Sequence, residues 1–228
     1  MHDRTHAMAV FGLVMLTMLA AMFVVVVSIE RSASTQDGGS GYSVEAMIDA
    51  GLKVDSRVDD GELGRLVSAG LVHTSRIHFA VNTVGLLLTA LFWWRTNPGL
   101  RRLKSAWVLP AIAIISSTGG FLVSYLVRAG PSGGASAGIY GILAAVAGAT
   151  WVHREHLPER ARLTAPIALT VLSLAAVLIV LGKPGMDHAA HLGGWAVGLP
   201  AGMAAQFKPG RVVLGVIAAI LIVLAFAS

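Results

Sequence analysis

Residues 129–153 read AGPSGGASAGIYGILAAVAGATWVH and contain no Asp, Glu, Lys or Arg. Their length is close to the roughly 20 residues that an α-helix needs to cross the hydrocarbon of a bilayer. Six more uncharged windows of similar length occur in the chain, at residues 5–29, 77–94, 105–127, 163–182, 188–207 and 212–228. Together the windows predict an all-α, polytopic membrane helix bundle with seven spanning helices.

The composition agrees with a membrane protein. Of the 228 residues, 55% are hydrophobic and 13% are charged, and the mean hydropathy is +0.74, which is too apolar for an ordinary soluble domain. The chain has no cysteine, so disulfides and thiolate chemistry are excluded. The first window is longer than the roughly 7 to 15 apolar residues of a signal peptide, and we expect it to remain as an anchor.

The basic residues predict an orientation rather than a nucleic-acid partner. With a cytoplasmic N-terminus, the inside segments 1–4, 95–104, 153–162 and 208–211 hold ten Lys/Arg and three Asp/Glu, and the outside segments hold seven and nine. Short loops rich in Lys and Arg favour the cytoplasmic side. We expect the N-terminus inside, the C-terminus outside, one long outer loop at about 31–72, and a cell membrane, by default the bacterial plasma membrane.

The outer loop has two parts. The run from Ser32 to Tyr42 is rich in Ser and Gly, as flexible linkers are. Beyond it, apolar residues recur at helical spacing and predict short amphipathic helices at the outer membrane surface, at Val44, Met47, Ile48 and Leu52 and again at Leu63, Leu66, Val67 and Leu71.

Polar side chains inside three apolar windows are the candidate functional residues, because such groups are costly in hydrocarbon unless they are partnered. His78 and Asn82 lie in the second window, Ser136 in the fourth and His191 in the sixth. In the predicted topology these three helices all start on the outside. We therefore expect the four side chains at one depth near the outer leaflet.

Ser136 follows a loop that contains Pro131 and begins the fourth-window helix. Backbone N–H groups at a helix N-terminus have no intrahelical partner, which suits a developing oxyanion. The G-x-S-x-G string from Gly134 to Gly138 is a weak signal alone, because a nucleophile elbow follows a strand and none is expected here. Packing of small residues between membrane helices is the alternative.

His191 shares one helical face with Gly194 and Gly198. Glycines on that face allow close packing on the fourth-window helix, which would bring the imidazole toward Ser136. Tyr140 lies one turn after the serine and could pack beneath the imidazole. A simple polar contact between helices is the alternative for this histidine.

The spacing of His188 and His191 leaves a metal site as a further alternative, with His78 as a third ligand. A serine at a helix N-terminus would then have no role, and we predict no metal and no other cofactor. We expect His188 at the outer mouth of the site and Asp187 as a helix N-cap rather than the acid of a triad. His73 is expected to hold the preceding loop.

Three separated motifs resemble the rhomboid family of intramembrane serine proteases. The stretch GELGRLVS at 61–68, followed by His73, His78 and Asn82, is similar to the family's G-E-x-x-R-L-x-[ST] and H-x(4)-H-x(3)-N patterns. The other two matches are GAS at 134–136 with Tyr140, and DHAAHLGGWAVG at 187–198. A departure is Ala137, where most members have glycine.

The resemblance implies a dyad in which Ser136 is the nucleophile and His191 the general base. It also implies an oxyanion hole formed by His78, Asn82 and the serine N–H, with supporting positions at Tyr140, Gly134, Gly194 and Gly198. The core would cover residues 1–207, and residues 208–228 would add a C-terminal helix.

The activity implied is that of a serine endopeptidase that cleaves single-pass transmembrane substrates near the outer membrane face, within the lipid bilayer. A catalytically silent rhomboid-like protein that binds transmembrane clients is the main alternative. A small proton-relay transporter is the other, and the lack of internal repeats argues against it.

Overall fold

A computed structural model describes residues 2–33, 42–97, 105–180 and 182–227. In this part of the chain ten α-helices occur and no strand does, which confirms the all-α prediction. The helices are α1 His2–Ala33, α2 Val44–Asp49, α3 Asp55–Asp59, α4 Arg65–Ser68, α5 Arg76–Thr96, α6 Val108–Leu126, α7 Ser136–Val152, α8 Thr164–Leu178, α9 His188–Ala204 and α10 Lys208–Ala227. Two 3₁₀ turns, Arg154–His156 and Glu159–Ala161, connect α7 with α8.

Each apolar window corresponds to one long helix, namely α1 or one of α5 to α10. Within the described ranges, five segments are long and apolar enough to cross a membrane, so the chain is a multi-pass membrane protein. These are Phe11–Ser32, Arg76–Thr96, Val108–Leu126, Glu159–Leu178 and Lys208–Phe226. The remaining two helices, α7 and α9, have 17 residues each and are shorter than their uncharged windows.

The start of α7 explains why it is shorter than its window. Gly130 and Gly134 have φ angles of 88° and 129°, which residues with a Cβ rarely adopt, and Pro131 lies between them. Residues 129–135 therefore form a loop, and the helix begins at Ser136.

The predicted outer loop contains the short helices α2, α3 and α4. Each buries at least one apolar side chain, including Met47 in α2, Val58 in α3 and Leu66 in α4. Met47 packs in a cluster with Ile29 of α1, and Leu66 in a cluster with Phe121 of α6. Most of the Ser/Gly-rich run, at 34–41, lies outside the described residues, as do the basic residues between 98 and 104.

The centre of the bundle is α7, which packs against α5, α6, α8 and α9. Its contact with α9 depends on glycine, because a Cβ at Gly194, Gly198 or Gly202 would overlap the backbone of α7. The two helices thus touch through their main chains. On the outside of the bundle, α10 packs on α6 and also contacts α4 and α9.

Candidate active site

Ser136 and His191 are brought together by the packing of α7 and α9. Ser136 is the first residue of α7, and His191 lies in the first turn of α9. The serine Oγ and the histidine Nε2 are 2.8 Å apart, which is a hydrogen-bond distance. The imidazole is buried, with 6% of His191 exposed, and the serine is half-buried. A buried imidazole in this position can accept the hydroxyl proton of the serine.

The Asp187 carboxylate caps α9 and is not bonded to the imidazole. Its Oδ1 accepts a hydrogen bond from the Ala190 N–H at 2.9 Å, and its Oδ2 accepts one from the Ser124 hydroxyl. The predicted N-cap is therefore confirmed. Within the described residues, the Nδ1 atom of His191 has no hydrogen-bond partner. The arrangement is a serine–histidine pair without a carboxylate behind it.

The Tyr140 ring packs against the imidazole of His191. The two ring centroids are 4.9 Å apart, with an angle of 58° between the ring planes. Tyr140 lies one turn after Ser136 on α7, as the spacing indicates. The phenol ring therefore lies against the imidazole whose Nε2 contacts the serine.

His78 and Asn82 lie one turn apart on α5, beside the loop that precedes Ser136. A Cβ added to Gly134 would lie 2.7 Å from His78 Cε1 and 3.3 Å from Asn82 Nδ2, so both side chains reach the backbone two residues before the serine. The amide of Asn82 is buried, and its Nδ2 has no hydrogen-bond partner among the described residues. Unused buried donors are uncommon, and one beside a helix N-terminus can stabilise negative charge.

His73 connects this loop with the start of α5. Its Nδ1 lies 3.0 Å from the Leu71 carbonyl oxygen, and its Nε2 lies 3.5 Å from the Ala135 nitrogen. Burial lowers the pKa of His73 to about 4. A neutral ring can donate from Nδ1 to Leu71, in the loop before α5 that His73 was predicted to hold, and it can accept the Ala135 N–H at Nε2.

The alternative metal site would combine His188 and His191 with His78. Within the ranges that the structure describes, no three His, Asp or Glu side chains form a group that could hold a metal ion. His188 begins α9 and is half-buried.

Sequence reasoning missed Lys53 and Ser124, both of which are 0% exposed. Lys53 stands in a charged, polar stretch, where a lysine is ordinarily in water. The one local signal is the apolar pair Leu52 and Val54 on either side of it. Ser124 lies among apolar residues near the end of α6, and a single serine there is consistent with ordinary helix packing.

The described residues form a multi-pass membrane helix bundle in which a serine at a helix N-terminus is hydrogen-bonded to a histidine of the neighbouring helix. The Rhomboid domain family model matches residues 60–206, which is more than half of the chain. The chain belongs to the rhomboid family.

Two curated relatives are similar to the chain. RHOMBOID-like protein 4 of Arabidopsis thaliana is 27% identical over 174 residues, covering 75% of this chain and 41% of that protein. Rhomboid protease GluP of Bacillus subtilis (strain 168) is 26% identical over 158 residues, covering 69% of this chain and 29% of that protein. The chain thus matches less than half the length of either relative.

Proposed function

We propose that this protein is an intramembrane serine endopeptidase that cleaves transmembrane segments near the outer membrane face. The observation that carries the proposal is the 2.8 Å distance between Ser136 Oγ and His191 Nε2 inside a membrane helix bundle. Family membership and the similarity to a protein named as a rhomboid protease support it.

In the proposed mechanism, Ser136 Oγ attacks the carbonyl carbon of the scissile peptide while His191 Nε2 takes the hydroxyl proton. The imidazolium returns that proton to the leaving amine, and the acyl-enzyme remains. Water then attacks the acyl carbon with His191 as base, which releases the carboxylate product and restores the serine. The proposed mechanism uses no third acid, and Nδ1 of His191 has no hydrogen-bond partner in the described residues.

The tetrahedral oxyanion is held by the Ser136 backbone N–H and by side chains of α5. The first N–H groups of α7 have no intrahelical partner and carry partial positive charge. The His78 and Asn82 side chains lie against Gly134, two residues before the serine. Gly134 has no side chain to occupy this space.

Labelling with a fluorophosphonate probe tests the proposal. We expect the purified protein to be labelled covalently, and the variants Ser136→Ala and His191→Ala to remain unlabelled. Ser132→Ala, in the loop before α7, is the matched serine control and should still be labelled. Equal labelling of the unsubstituted protein and Ser136→Ala would contradict the dyad.

A second assay separates a protease from a protein that only binds transmembrane clients. The unsubstituted protein and Ser136→Ala are reconstituted in vesicles with a single-pass membrane protein that is tagged at both ends. If two tagged fragments form with the unsubstituted protein and not with Ser136→Ala, the protein is a protease. Binding without fragments in both samples would favour the catalytically silent alternative.

A further inference from the structure

Lys53 is a fully buried cation in the segment between α2 and α3. Its Nζ donates hydrogen bonds to Ser124 Oγ at 2.9 Å and to the Gly130 carbonyl oxygen at 2.8 Å, and it forms an ion pair with Asp55 Oδ1 at 2.6 Å. Two hydrogen bonds and one ion pair therefore surround the ammonium group. A buried charge is costly unless it is fully paired, so the surroundings of Lys53 are arranged to hold it.

The first connection from Lys53 leads to the loop that ends at Ser136. The backbone N–H of Lys53 donates to the Ser132 carbonyl at 3.1 Å, and the Ser132 N–H donates back at 3.0 Å. Gly130 is held at both polar atoms, since its carbonyl accepts from Nζ and its N–H donates to Asp55 Oδ2 at 3.2 Å. Lys53 and Asp55 thus fix two positions of the loop before the serine.

The second connection leads to the helix that carries His191. The Ser124 hydroxyl accepts from Lys53 Nζ and donates to Asp187 Oδ2. The other oxygen of Asp187 caps the first turn of α9 at Ala190, and the Asp187 carbonyl accepts from the His191 N–H at 3.2 Å. One hydroxyl group therefore separates the buried ammonium from the residue that orients α9.

We propose that Lys53 is a positioning residue for both members of the Ser136–His191 pair, and the inference rests on the function proposed above for that pair. It holds the loop before α7 directly and the first turn of α9 through Ser124 and Asp187. The network sets the separation between Ser136 Oγ and His191 Nε2 without touching either atom. A displacement of about 1 Å at such a pair can reduce a rate by about 10²-fold.

The test removes the single hydroxyl that joins the two connections. Ser124→Ala leaves the Lys53 contacts with Gly130 and Asp55 in place. Ser117→Ala is the matched control, because Ser117 is also buried on α6 and its Oγ has no hydrogen-bond partner among the described residues. We expect Ser124→Ala to lower the fluorophosphonate labelling rate and kcat for a transmembrane substrate by about tenfold, with KM unchanged. Ser117→Ala should match the unsubstituted protein.

Hydrogen exchange provides a readout that does not depend on activity. In Ser124→Ala, the backbone amides of residues 188–192 should exchange faster than in Ser117→Ala, while both variants keep similar thermal unfolding midpoints. Labelling, turnover and exchange in Ser124→Ala equal to those of Ser117→Ala would overturn the inference. If the unsubstituted protein is not labelled at all, the proposed function fails, and the exchange rates of the two variants alone decide whether the network positions α9.

Discussion

At the scale of single residues, the side chains around Ser136 differ in whether they have partners. Thr74 bonds to the His78 ring, with its Oγ1 3.1 Å from Nδ1, and His191 contacts the serine. Asn82 Nδ2, by contrast, is a buried donor without a partner in the described residues, and Nδ1 of His191 is also without one. A buried donor without a partner lowers the stability of the folded protein by about 1–3 kcal/mol. The unpaired Asn82 amide is explained if its partner is the negative charge that forms transiently during the reaction.

Replacing Asn82 tests this explanation. We expect Asn82→Ala to reduce kcat by about 10²-fold to 10³-fold, because one oxyanion donor contributes about that much, and to leave KM nearly unchanged. The control is Thr83→Ala, the next residue of α5, whose Oγ1 is also buried without a partner among the described residues. Kinetics on a transmembrane substrate in bilayers measure both variants. Equal turnover by Asn82→Ala and Thr83→Ala would exclude the amide from the oxyanion hole.

His73 predicts a dependence of stability on pH. Burial lowers its pKa from 6.5 to about 4 in the folded protein. Between pH 4 and pH 6.5 the unfolded chain binds more protons at His73 than the folded protein does. The contribution of His73 to the free energy of unfolding is therefore complete above pH 6.5 and is lost as the pH falls toward 4. The loss reaches about 3 kcal/mol at most.

The variant His73→Gln isolates this effect from other titrating groups. It cannot take up a proton, so its thermal unfolding midpoint in detergent should fall less than that of the unsubstituted protein between about pH 7.5 and about pH 5. Parallel falls in the two proteins would show that His73 does not titrate in this way.

At the scale of helices, the length of the uncharged windows predicted which segments are helical. Each spanning segment must avoid charged residues on its own, because a charge is costly in hydrocarbon, so the signal is local in the sequence. Uncharged length alone does not show where α7 begins, since the positive φ angles of Gly130 and Gly134 define a loop inside an uncharged window. The loop with Pro131 predicted a helix start at Ser136, which is confirmed. The proximity of Ser136 and His191 was predictable from polar residues inside uncharged windows and from the glycines on the same face as His191. Lys53 was not, because its partner Ser124 is 71 residues away and no periodicity connects them.

The close packing of α7 on α9 predicts a strong effect of one methyl group. A Cβ at Gly198 would overlap the backbone of Gly141, and backbone cannot move as a flexible side chain can. We expect Gly198→Ala to lower the free energy of unfolding by about 1–3 kcal/mol and to reduce fluorophosphonate labelling of the protein that remains folded.

The matched control is Gly12→Ala on α1, where an added Cβ would meet nothing within 4 Å. Alanine is favoured over glycine in a helix by up to about 1 kcal/mol, so this variant should be as stable as the unsubstituted protein or slightly more so. Thermal unfolding in detergent compares the two variants. If both have the same midpoint, close backbone contact does not hold α7 against α9.

At the scale of the whole molecule, the site lies at one end of the bundle. Side chains near the starts of α5, α7 and α9 meet there, at Asn82, Ser136 and His191. The C-terminal helix α10 begins next to the end of α9, where Gly210 contacts the Ala204 backbone, and is about 30 Å long for 20 residues. Its contact with α4 places part of it beside the predicted outer loop. The bundle therefore has a site end, with α2 to α4, and an opposite end with the 3₁₀ turns.

The charge distribution predicts that the site end faces outward, and the absence of cysteine from the chain makes this testable. Single cysteines are introduced at Asp60, after α3, and at Arg160, in the second 3₁₀ turn, both of which are exposed. In intact cells a membrane-impermeant maleimide should label Asp60→Cys, whereas Arg160→Cys should react only after the membrane is opened. This expectation follows because loops rich in Lys and Arg are retained on the cytoplasmic side. Labelling of Arg160→Cys but not Asp60→Cys in intact cells would mean that the protein is inserted in the opposite orientation. Substrate cleavage would then occur at the inner membrane face, with the contact between Ser136 and His191 unchanged.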